Sequence, residues 1–171
     1  MDSNNSNMDM YGASGLGQQV RPVQPVQPVR PIQPVAVRRD FGAEPFVVDI
    51  NKATTENDTY RTALWSGEHL QLTVMSIPVG GDIGLEMHSE VDQFLRIEKG
   101  HGLAMMGRSR EELSLQQPVF EDTAIFVPAG TWHNLVNTGG EALKLYSIYA
   151  PPKHPKGTVH ATKAVAEMMG D

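Results

Sequence analysis

The strongest indication of the fold lies in the sequence "DTAIFVPAGTWHNLVNTGG", residues 122–140. Two apolar runs, "AIFV" and "WHNLVN", flank a Pro-x-Gly turn, and a glycine-rich turn follows the second run. This is the pattern of short strands joined by tight turns. His133 lies in the second run, three residues after Gly130 and five after Pro128. A histidine placed in this way is a candidate metal ligand if further ligands lie elsewhere in the chain.

A second stretch, "GLEMHSEVDQFLRIEKG" at residues 84–100, contains such residues. His88 is followed by an acid, Glu90, and then by an amide, Gln93, before an apolar run and a glycine. One histidine flanked by acids is more often part of a solvated strand face. Only the two stretches taken together favour a metal site.

The same strand-and-turn pattern extends over most of the chain from residue 46 onward. Roughly ten short strands with no long helical pattern predict an all-β sandwich or barrel. One short C-terminal helix, His160–Met169, is predicted to end at Gly170. The predicted strands are Phe46–Ile50, Tyr60–Ser66, Leu70–Ile77, Ile83–His88, Gln93–Lys99, Gly102–Met106, Leu113–Gln116, Ala124–Val127, Trp132–Asn137 and Leu143–Tyr149.

The first forty residues differ in composition from the rest. Residues 1–19 have little to bury and are predicted to be disordered, and residues 21–35, "RPVQPVQPVRPIQPV", place proline at every third position. This spacing stacks the prolines along one edge of a polyproline II helix and the aliphatic residues along another. The tract is either a stiff spacer or an arm whose apolar edge docks on this subunit or a neighbour. The predicted organisation is an arm at 1–40, a barrel at 41–151, and a connection with a helix at 152–171.

Composition excludes several classes of function. The net charge of −6 divides into +1 for residues 1–40 and −7 for the remainder, which argues against a nucleic-acid partner. No apolar run has the length needed to cross a bilayer, and "MDSNNSNMDM" is not a secretory signal. The absence of cysteine removes thiolate ligands and thiol nucleophiles. A cytoplasmic location is the default expectation, with a cell- or spore-surface protein layer left open.

The first stretch resembles the first motif of the cupin superfamily, Gly-x5-His-x-His-x(3,4)-Glu-x6-Gly. In this chain the comparison is made with His88-x-Glu90-x2-Gln93-x6-Gly100, and Gly81 stands one residue further upstream than the motif requires. The family's second histidine is therefore replaced by Glu90, and its glutamate by Gln93.

The second stretch resembles the second cupin motif, Gly-x5-Pro-x-Gly-x2-His-x3-Asn. Pro128, Gly130, His133 and Asn137 match it, and Asp122 replaces the leading glycine. The resemblance covers about residues 60–150 and is strongest to single-domain, cupin-2-like proteins. It implies a double-stranded β-helix, or jelly-roll barrel, with a metal ion at its centre. In this reading the amide of Asn137 ties the turn that follows it.

The resemblance implies that His88, Glu90, Gln93 and His133 bind the metal. His88 and Glu90 share one face of a strand because side chains alternate with period two. Two histidines, one glutamate and one glutamine carry the same single negative charge as the family's three histidines and one glutamate. If Gln93 instead bonds to a neighbour, a two-histidine, one-carboxylate triad remains. Mn²⁺, Fe²⁺, Ni²⁺ and Zn²⁺ all suit these donors.

Two functions remain open from the sequence. The first is a metal-dependent enzyme acting on a small organic molecule, as a dioxygenase, isomerase or lyase. The second is a non-catalytic assembly protein whose arm links barrels into an oligomer or layer. No nucleophile motif or phosphate-binding loop is present, so catalytic residues are not assigned, and Glu86 is interpreted as a solvated strand acid. At least a homodimer is expected, with Phe46–Ile50 and Tyr60–Ser66 as candidate contacts.

Overall fold

The computed structural model describes residues 39–170. The predicted polyproline tract at 21–35, and all of the predicted arm at 1–40 except its last two residues, lie outside this range. The described residues form antiparallel sheets with two short helices, which confirms the all-β jelly-roll prediction and the short C-terminal helix. Within the described range, neither helix has the length or the apolar character to cross a membrane.

Within residues 39–170, nine strands build two sheets that face each other. The six-stranded sheet has the order β6-β3-β8-β2-β1-β9, and the three-stranded sheet has the order β5-β4-β7. In chain order the elements are α1 (Ile50–Thr55), β1 (Arg61–Ser66), β2 (Gln71–Ile77), β3 (Asp92–Lys99), β4 (His101–Gly107), β5 (Leu115–Phe120), β6 (Ala124–Val127), β7 (Trp132–Asn137), β8 (Leu143–Ala150), β9 (Val159–His160) and α2 (Lys163–Met168).

The space between the two sheets is filled by apolar side chains. Met75, Ile97 and Leu145 lie next to one another across β2, β3 and β8, and all three are buried. Leu135 of β7 belongs to the same cluster. Residues opposite one another on neighbouring strands share a face. The next inward positions along these strands therefore also face the interior, and it is there that the polar residues of the site are found.

The segment at residues 46–50 is not the predicted strand. Phe46 and Val48 pack against the outer face of the six-stranded sheet, and helix α1 begins at Ile50. Asp49 ends the extended stretch because its carboxylate accepts a hydrogen bond from the N–H of Lys52 at 3.0 Å, which caps the helix. Both segments that were candidate dimer contacts are engaged within the subunit. Residues 46–50 pack on the six-stranded sheet, and β1 pairs with β2 on one side and with β9 on the other. The homodimer itself stays a prediction.

The C-terminal helix is shorter than predicted. Val159 and His160 pair with β1 instead of starting the helix. The hydroxyl of Thr162 then accepts a hydrogen bond from the N–H of Val165 at 3.3 Å, so the helix begins at Lys163.

Asp122, which replaces a glycine of the second motif, has a positive φ of 68°. Glycine adopts this conformation freely, and Asp tolerates it better than most residues because its short polar side chain bonds locally. Its carboxylate accepts a hydrogen bond from the guanidinium of Arg96 on β3. The sequence departs from the motif at this position, but the backbone keeps the turn.

Asp40 attaches the start of the described chain to the barrel. Its carboxylate accepts hydrogen bonds from the N–H and the hydroxyl of Ser66, at 2.9 and 2.6 Å. The N–H groups of Gly42 and Gly157 donate two more, at 2.9 and 3.0 Å. Burial opposes ionisation, but these donors outweigh it and lower the pKa of Asp40 below its ordinary value.

Replacing Asp40 by asparagine is expected to lower the free energy of unfolding by about 1–3 kcal/mol at neutral pH. The four groups around the carboxylate all donate hydrogen bonds, and the N–H₂ of the asparagine amide cannot accept them. The carboxyl has a lower pKa folded than unfolded. Its contribution is therefore present above the unfolded value of 3.8 and is lost as the pH falls through the folded value. Urea unfolding at neutral pH and below about pH 3 checks both statements. An equal difference between variant and wild type at the two pH values would contradict the role of the charge.

Candidate metal centre

The site is built on β7 and on residues 81–88, which run antiparallel beside it. Glu86 and His133 exchange two backbone hydrogen bonds of 3.0 and 2.9 Å, and the N–H of Gly130 donates to the carbonyl of His88 at 2.7 Å. Because Glu86 and His133 are directly opposite, their side chains lie on one face. His88 shares that face with Glu86 because it is two residues further along.

A tight turn directs His133 into the barrel. The N–H of Thr131 donates to the carbonyl of Pro128 at 3.1 Å, and Gly130 between them has a φ of 78°. Glycine reaches this conformation without steric cost. The turn therefore starts β7 in the orientation that buries the His133 side chain, which is 3 % exposed.

Three side chains converge at this point. The Nε2 atoms of His88 and His133 lie 3.5 and 3.4 Å from Oε1 of Glu86. One ligand atom from each residue lies within 4.8 Å of those of the other two, and the imidazole rings meet edge to face with centroids 5.5 Å apart. Two imidazoles and one carboxylate in this arrangement form the donor set of a mononuclear transition-metal site.

Gln93, from β3, adds a fourth oxygen. Its Nε2 donates to the hydroxyl of Ser147 on β8 at 2.9 Å, which turns Oε1 toward His133 Nε2 at a distance of 3.0 Å. His133 Nδ1 lies 3.0 Å from the carbonyl of Thr131. A carbonyl can only accept, so Nδ1 carries a proton, and in the tautomer with that single proton Nε2 presents a lone pair.

Atoms that can bind a cation face one another at the centre of this group. The lone pair of His133 Nε2 faces oxygens of Gln93 and Glu86, and a group of acceptors requires a cation between them. Glu86 Oε1 and His88 Nε2 are also buried without a hydrogen-bond partner among residues 39–170. Buried polar atoms without partners are rare, and a bound ion is one of the standard explanations for them. The residues present therefore suit a divalent metal ion.

The electrostatics of Glu86 favour the same conclusion. Burial opposes ionisation of its carboxyl, but the hydrogen bonds and positive charge that the imidazoles of His133 and His88 provide when protonated outweigh burial and hold the pKa of Glu86 far below its ordinary value. Glu86 therefore presents a carboxylate at neutral pH. A metal ion needs its acidic ligands in this deprotonated form.

Ser147 is expected to position Gln93. Replacing Ser147 by alanine removes the bond that orients the amide, and we expect metal affinity to fall by about 10–100-fold, as is typical when a residue that orients a ligand is lost. Thr73→Val is the matched control, because Thr73 lies opposite Ser147 on β2 and its hydroxyl is buried without a hydrogen-bond partner among the described residues. Calorimetric titration with Mn²⁺ or Zn²⁺ measures the effect. Equal losses in the two variants would contradict the positioning role.

Tyr149 covers one side of the group. It is fully buried, and its ring meets that of His88 edge to face with centroids 6.0 Å apart. His154 packs on the other side of Tyr149 at 4.9 Å, in the connection that precedes β9. The C-terminal connection thus shields His88 from water through Tyr149, which strengthens electrostatic interactions within the site.

A cavity of about 380 Å³ shares Glu86 with this group, whereas His88, Gln93 and His133 are not in its wall. Glu86, the most exposed of the three converging residues at 25 %, is part of its wall. Segment 82–86, the start of β1, Asn134 of β7 and α2 form the rest of the wall. The cavity has the size of a small-molecule site.

Comparison with known proteins places this architecture in a family. The chain is 62 % identical over 128 residues to the uncharacterized protein YrkC of Bacillus subtilis, covering 75 % of this chain and 69 % of YrkC. It is 37 % identical over 115 residues to the uncharacterized protein L612 of Acanthamoeba polyphaga mimivirus, covering 67 % and 70 % of the two chains. The family model described as the cupin domain matches residues 73–149. The chain belongs to the cupin superfamily.

A solved structure agrees with this cupin assignment. The crystal structure of BH2720 from Bacillus halodurans has a TM-score of 0.76 and 59 % sequence identity, and the match covers 76 % of this chain and 98 % of that one. The cupin fold predicted from the two motifs is thereby confirmed.

The structure brings three of the four sequence-predicted ligands together. His88, His133 and Gln93 converge, whereas the side chain of Glu90 is exposed and lies outside the group. The physical reason is a bend at residues 89 and 90, which follows the last hydrogen bond between this segment and the turn before β7. The extended backbone that would place the side chains of His88 and Glu90 on the same face ends at this bend. Residues 83–88 are also not a regular strand, since they pair with β7 only through isolated bridges.

Glu86 occupies the position that the sequence interpretation gave to Glu90. The first cupin motif, moved back by two residues, reads Gly80-x5-Glu86-x-His88-x4-Gln93-x6-Gly100 in this cupin. In this register the leading glycine and every spacing agree with the motif, and Glu86 stands where the family has its first histidine. The exact distances from Gly80 and to Gln93 are the feature of the sequence that favours this register.

Proposed function

We propose that this cupin binds one divalent metal ion between Glu86, His88, His133 and Gln93 and acts on a small organic molecule in the adjacent cavity. The observation that carries the proposal is the convergence of two imidazole nitrogens, a carboxylate oxygen and an amide oxygen from separate segments of the barrel. When bound, a divalent ion in such a site polarises a coordinated carbonyl, hydroxyl or water. The reaction that we propose for this protein is that of a dioxygenase, an isomerase or a lyase.

The chain's own residues supply the remaining requirements. Glu86 contributes the one negative charge of the donor set, and Ser147 and the Thr131 carbonyl fix the orientations of Gln93 and His133. Tyr149 packs against His88, and Glu86 also lies in the wall of the cavity, where a ligand could bind beside the donor set. The donors come from three separate parts of the barrel, namely segment 81–88, β7 and β3.

Elemental analysis of the natively purified protein tests the proposal. We expect about one divalent ion per chain, and we expect the metal-stripped protein to take up Mn²⁺, Fe²⁺, Ni²⁺ or Zn²⁺ in calorimetric titrations. With Mn²⁺ bound, enhanced relaxation of water protons would report the open coordination position that a substrate needs. Protein that contains no stoichiometric metal and takes up none would contradict the proposal.

A further inference from the structure

An apolar groove lies on the outer face of the six-stranded sheet, where β6, β3 and β8 run side by side. Phe126, Phe94 and Ile148 stand directly opposite one another on these strands, so their side chains form one row on one face. The groove has a volume of about 330 Å³, and Pro128 also lines it. Phe94 points away from the metal centre, because it alternates along β3 with Gln93, which is buried in the interior.

One half of this outer face is covered within the subunit and the other half is not. The row continues with Leu72 on β2 and Trp65 on β1. Segment 41–50 lies over that half, since its apolar residues pack together with Leu72 and the carbonyl of residue 44 accepts a hydrogen bond from the Trp65 indole. Phe126, in contrast, is 69 % exposed, and its ring meets that of Phe94 edge to face at 5.1 Å. A contiguous exposed apolar patch of this kind indicates an interaction surface.

The tract at residues 21–35 has the chemistry that such a groove binds. Because a polyproline II helix has three residues per turn, the sequence predicts one edge of prolines, one aliphatic edge and one polar edge. The aliphatic edge consists of Val23, Val26, Val29, Ile32 and Val35. The polar edge consists of Arg21, Gln24, Gln27, Arg30 and Gln33. Proteins recognise polyproline II segments in grooves lined by aromatic side chains, because such a segment loses little conformational entropy on binding.

The charges of the two surfaces are complementary. Residues 20–39 contain four arginines and neither aspartate nor glutamate, whereas residues 41–171 carry a net charge of −7. Among the described residues that line the groove, the one with a charge is an acid, Asp92. Opposite charges across an interface speed the encounter and fix the orientation of the partners.

The position of Asp40 favours the tract of a second copy over the tract of the same chain. Asp40 is bonded to Ser66 at the end of β1, and β6 lies four strands further across the sheet, about 19 Å away at the usual strand spacing. The five residue steps from Asp40 back to Val35 span only about 17 Å when fully extended. A direct path would also cross segment 41–50, which already covers that half of the face. The tract of a second copy meets neither restriction.

We propose that this groove binds the aliphatic edge of the 21–35 tract of a second copy of the chain. The tract and the groove are different surfaces of the molecule, so two copies that exchange their arms reciprocally close into a dimer. The interaction uses neither the metal site nor the cavity beside Glu86, so it stands or falls independently of the proposed function.

Substitution of the exposed phenylalanine tests the groove. We expect full-length Phe126→Ser to raise the dimer dissociation constant by about tenfold or more, because a large apolar contact is lost. Phe120→Ser is the matched control, since Phe120 is also exposed, at 58 %, but lies on β5 outside the groove. It is expected to stay within about threefold of wild type. Sedimentation equilibrium measures the constants, and thermal unfolding shows that both variants are folded.

Substitution of the two edges tests the tract. One full-length variant places serine at three positions of the aliphatic edge, Val26, Val29 and Ile32. The matched control places serine at three positions of the polar edge, Gln24, Gln27 and Gln33. Both variants keep every proline. We expect the first to weaken the dimer about tenfold or more and the second to stay within about threefold of wild type.

The absence of cysteine from the chain allows fluorophores to be attached at single introduced cysteines. Gln27→Cys carries a donor on the polar edge of the tract, and Ala124→Cys carries an acceptor at an exposed position of β6, two residues from Phe126. We expect energy transfer when the two singly labelled proteins are mixed. We expect the transfer to fall when the acceptor protein also carries Phe126→Ser.

Four results would each overturn the proposal. They are wild-type protein that is monomeric at about 100 µM, equal dissociation constants for the folded Phe126→Ser and Phe120→Ser variants, equal constants for the two edge variants, and energy transfer that occurs only within a doubly labelled chain. The last result would assign the groove to the tract of the same chain.

Discussion

Glutamine in place of Glu86 is expected to weaken metal binding by more than about 100-fold, whereas glutamine in place of Glu90 leaves it unchanged. The two substitutions are chemically identical and lie four residues apart. Residues that merely orient a ligand contribute about 10–100-fold to affinity, so the loss of the only carboxylate in the group should exceed that range. Glu86 lies within 3.5 Å of both imidazoles, while the side chain of Glu90 is exposed to solvent.

The measurement is a titration of each metal-stripped variant with Zn²⁺ and Mn²⁺, accompanied by thermal unfolding without metal to show that both variants fold. His88→Ala combined with His133→Ala provides the reference for a site without imidazoles. A larger loss in Glu90→Gln than in Glu86→Gln would contradict the ligand set and restore the original sequence interpretation.

Removing the side chain of Asn137 is expected to lower the free energy of unfolding by about 3 kcal/mol or more, which is large for a single polar residue. Its amide N–H₂ donates to the carbonyls of Ile77 and Glu141 at 2.9 and 2.8 Å, and its Oδ1 accepts from the N–H of Gly139 at 2.9 Å. Asn137 is 2 % exposed, so Asn137→Ala leaves three polar groups of the backbone without a partner in or near the core.

Asn134→Ala is the matched control for that experiment. It lies on the same strand, but its side chain is only partly buried and bonds to Asp82 near the cavity. We expect a loss of about 1 kcal/mol or less. Urea unfolding followed by the fluorescence of Trp65 and Trp132 compares the two. Equal losses would mean that Asn137 does not tie the turn after β7.

The second motif could be predicted well because its spacing is set by local backbone geometry. Gly130 needs a positive φ, and Pro128 starts the turn that this conformation completes. His133 follows at a fixed distance and faces inward by the alternation of β7, and Asn137 ties the turn that comes next. All four residues act within one turn and one strand, so their spacing in the sequence is enough to predict their positions in the structure.

The first motif could not be placed as well, because its residues depend on contacts between distant segments. The distance from His88 does not distinguish Glu86 from Glu90, since both lie two residues away, and only the spacing to Gly80 and Gln93 differs. The choice is made by the backbone pairing of Glu86 with His133, which ends before the bend at residues 89 and 90. Likewise, the role of Gln93 depends on Ser147, which is 54 residues away along the chain.

The short segment at residues 81–88 has a consequence for the lifetime of the protein. It closes one wall of the barrel through isolated bridges instead of a continuous ladder, and it carries Glu86 and His88. An ion that joins these residues to β7 and β3 favours the closed wall over any opened form, by about 2.7 kcal/mol when the free ion exceeds its dissociation constant a hundredfold. Proteases act on opened forms. Metal supply would therefore govern the rate at which the chain is degraded, independently of any reaction that it catalyses.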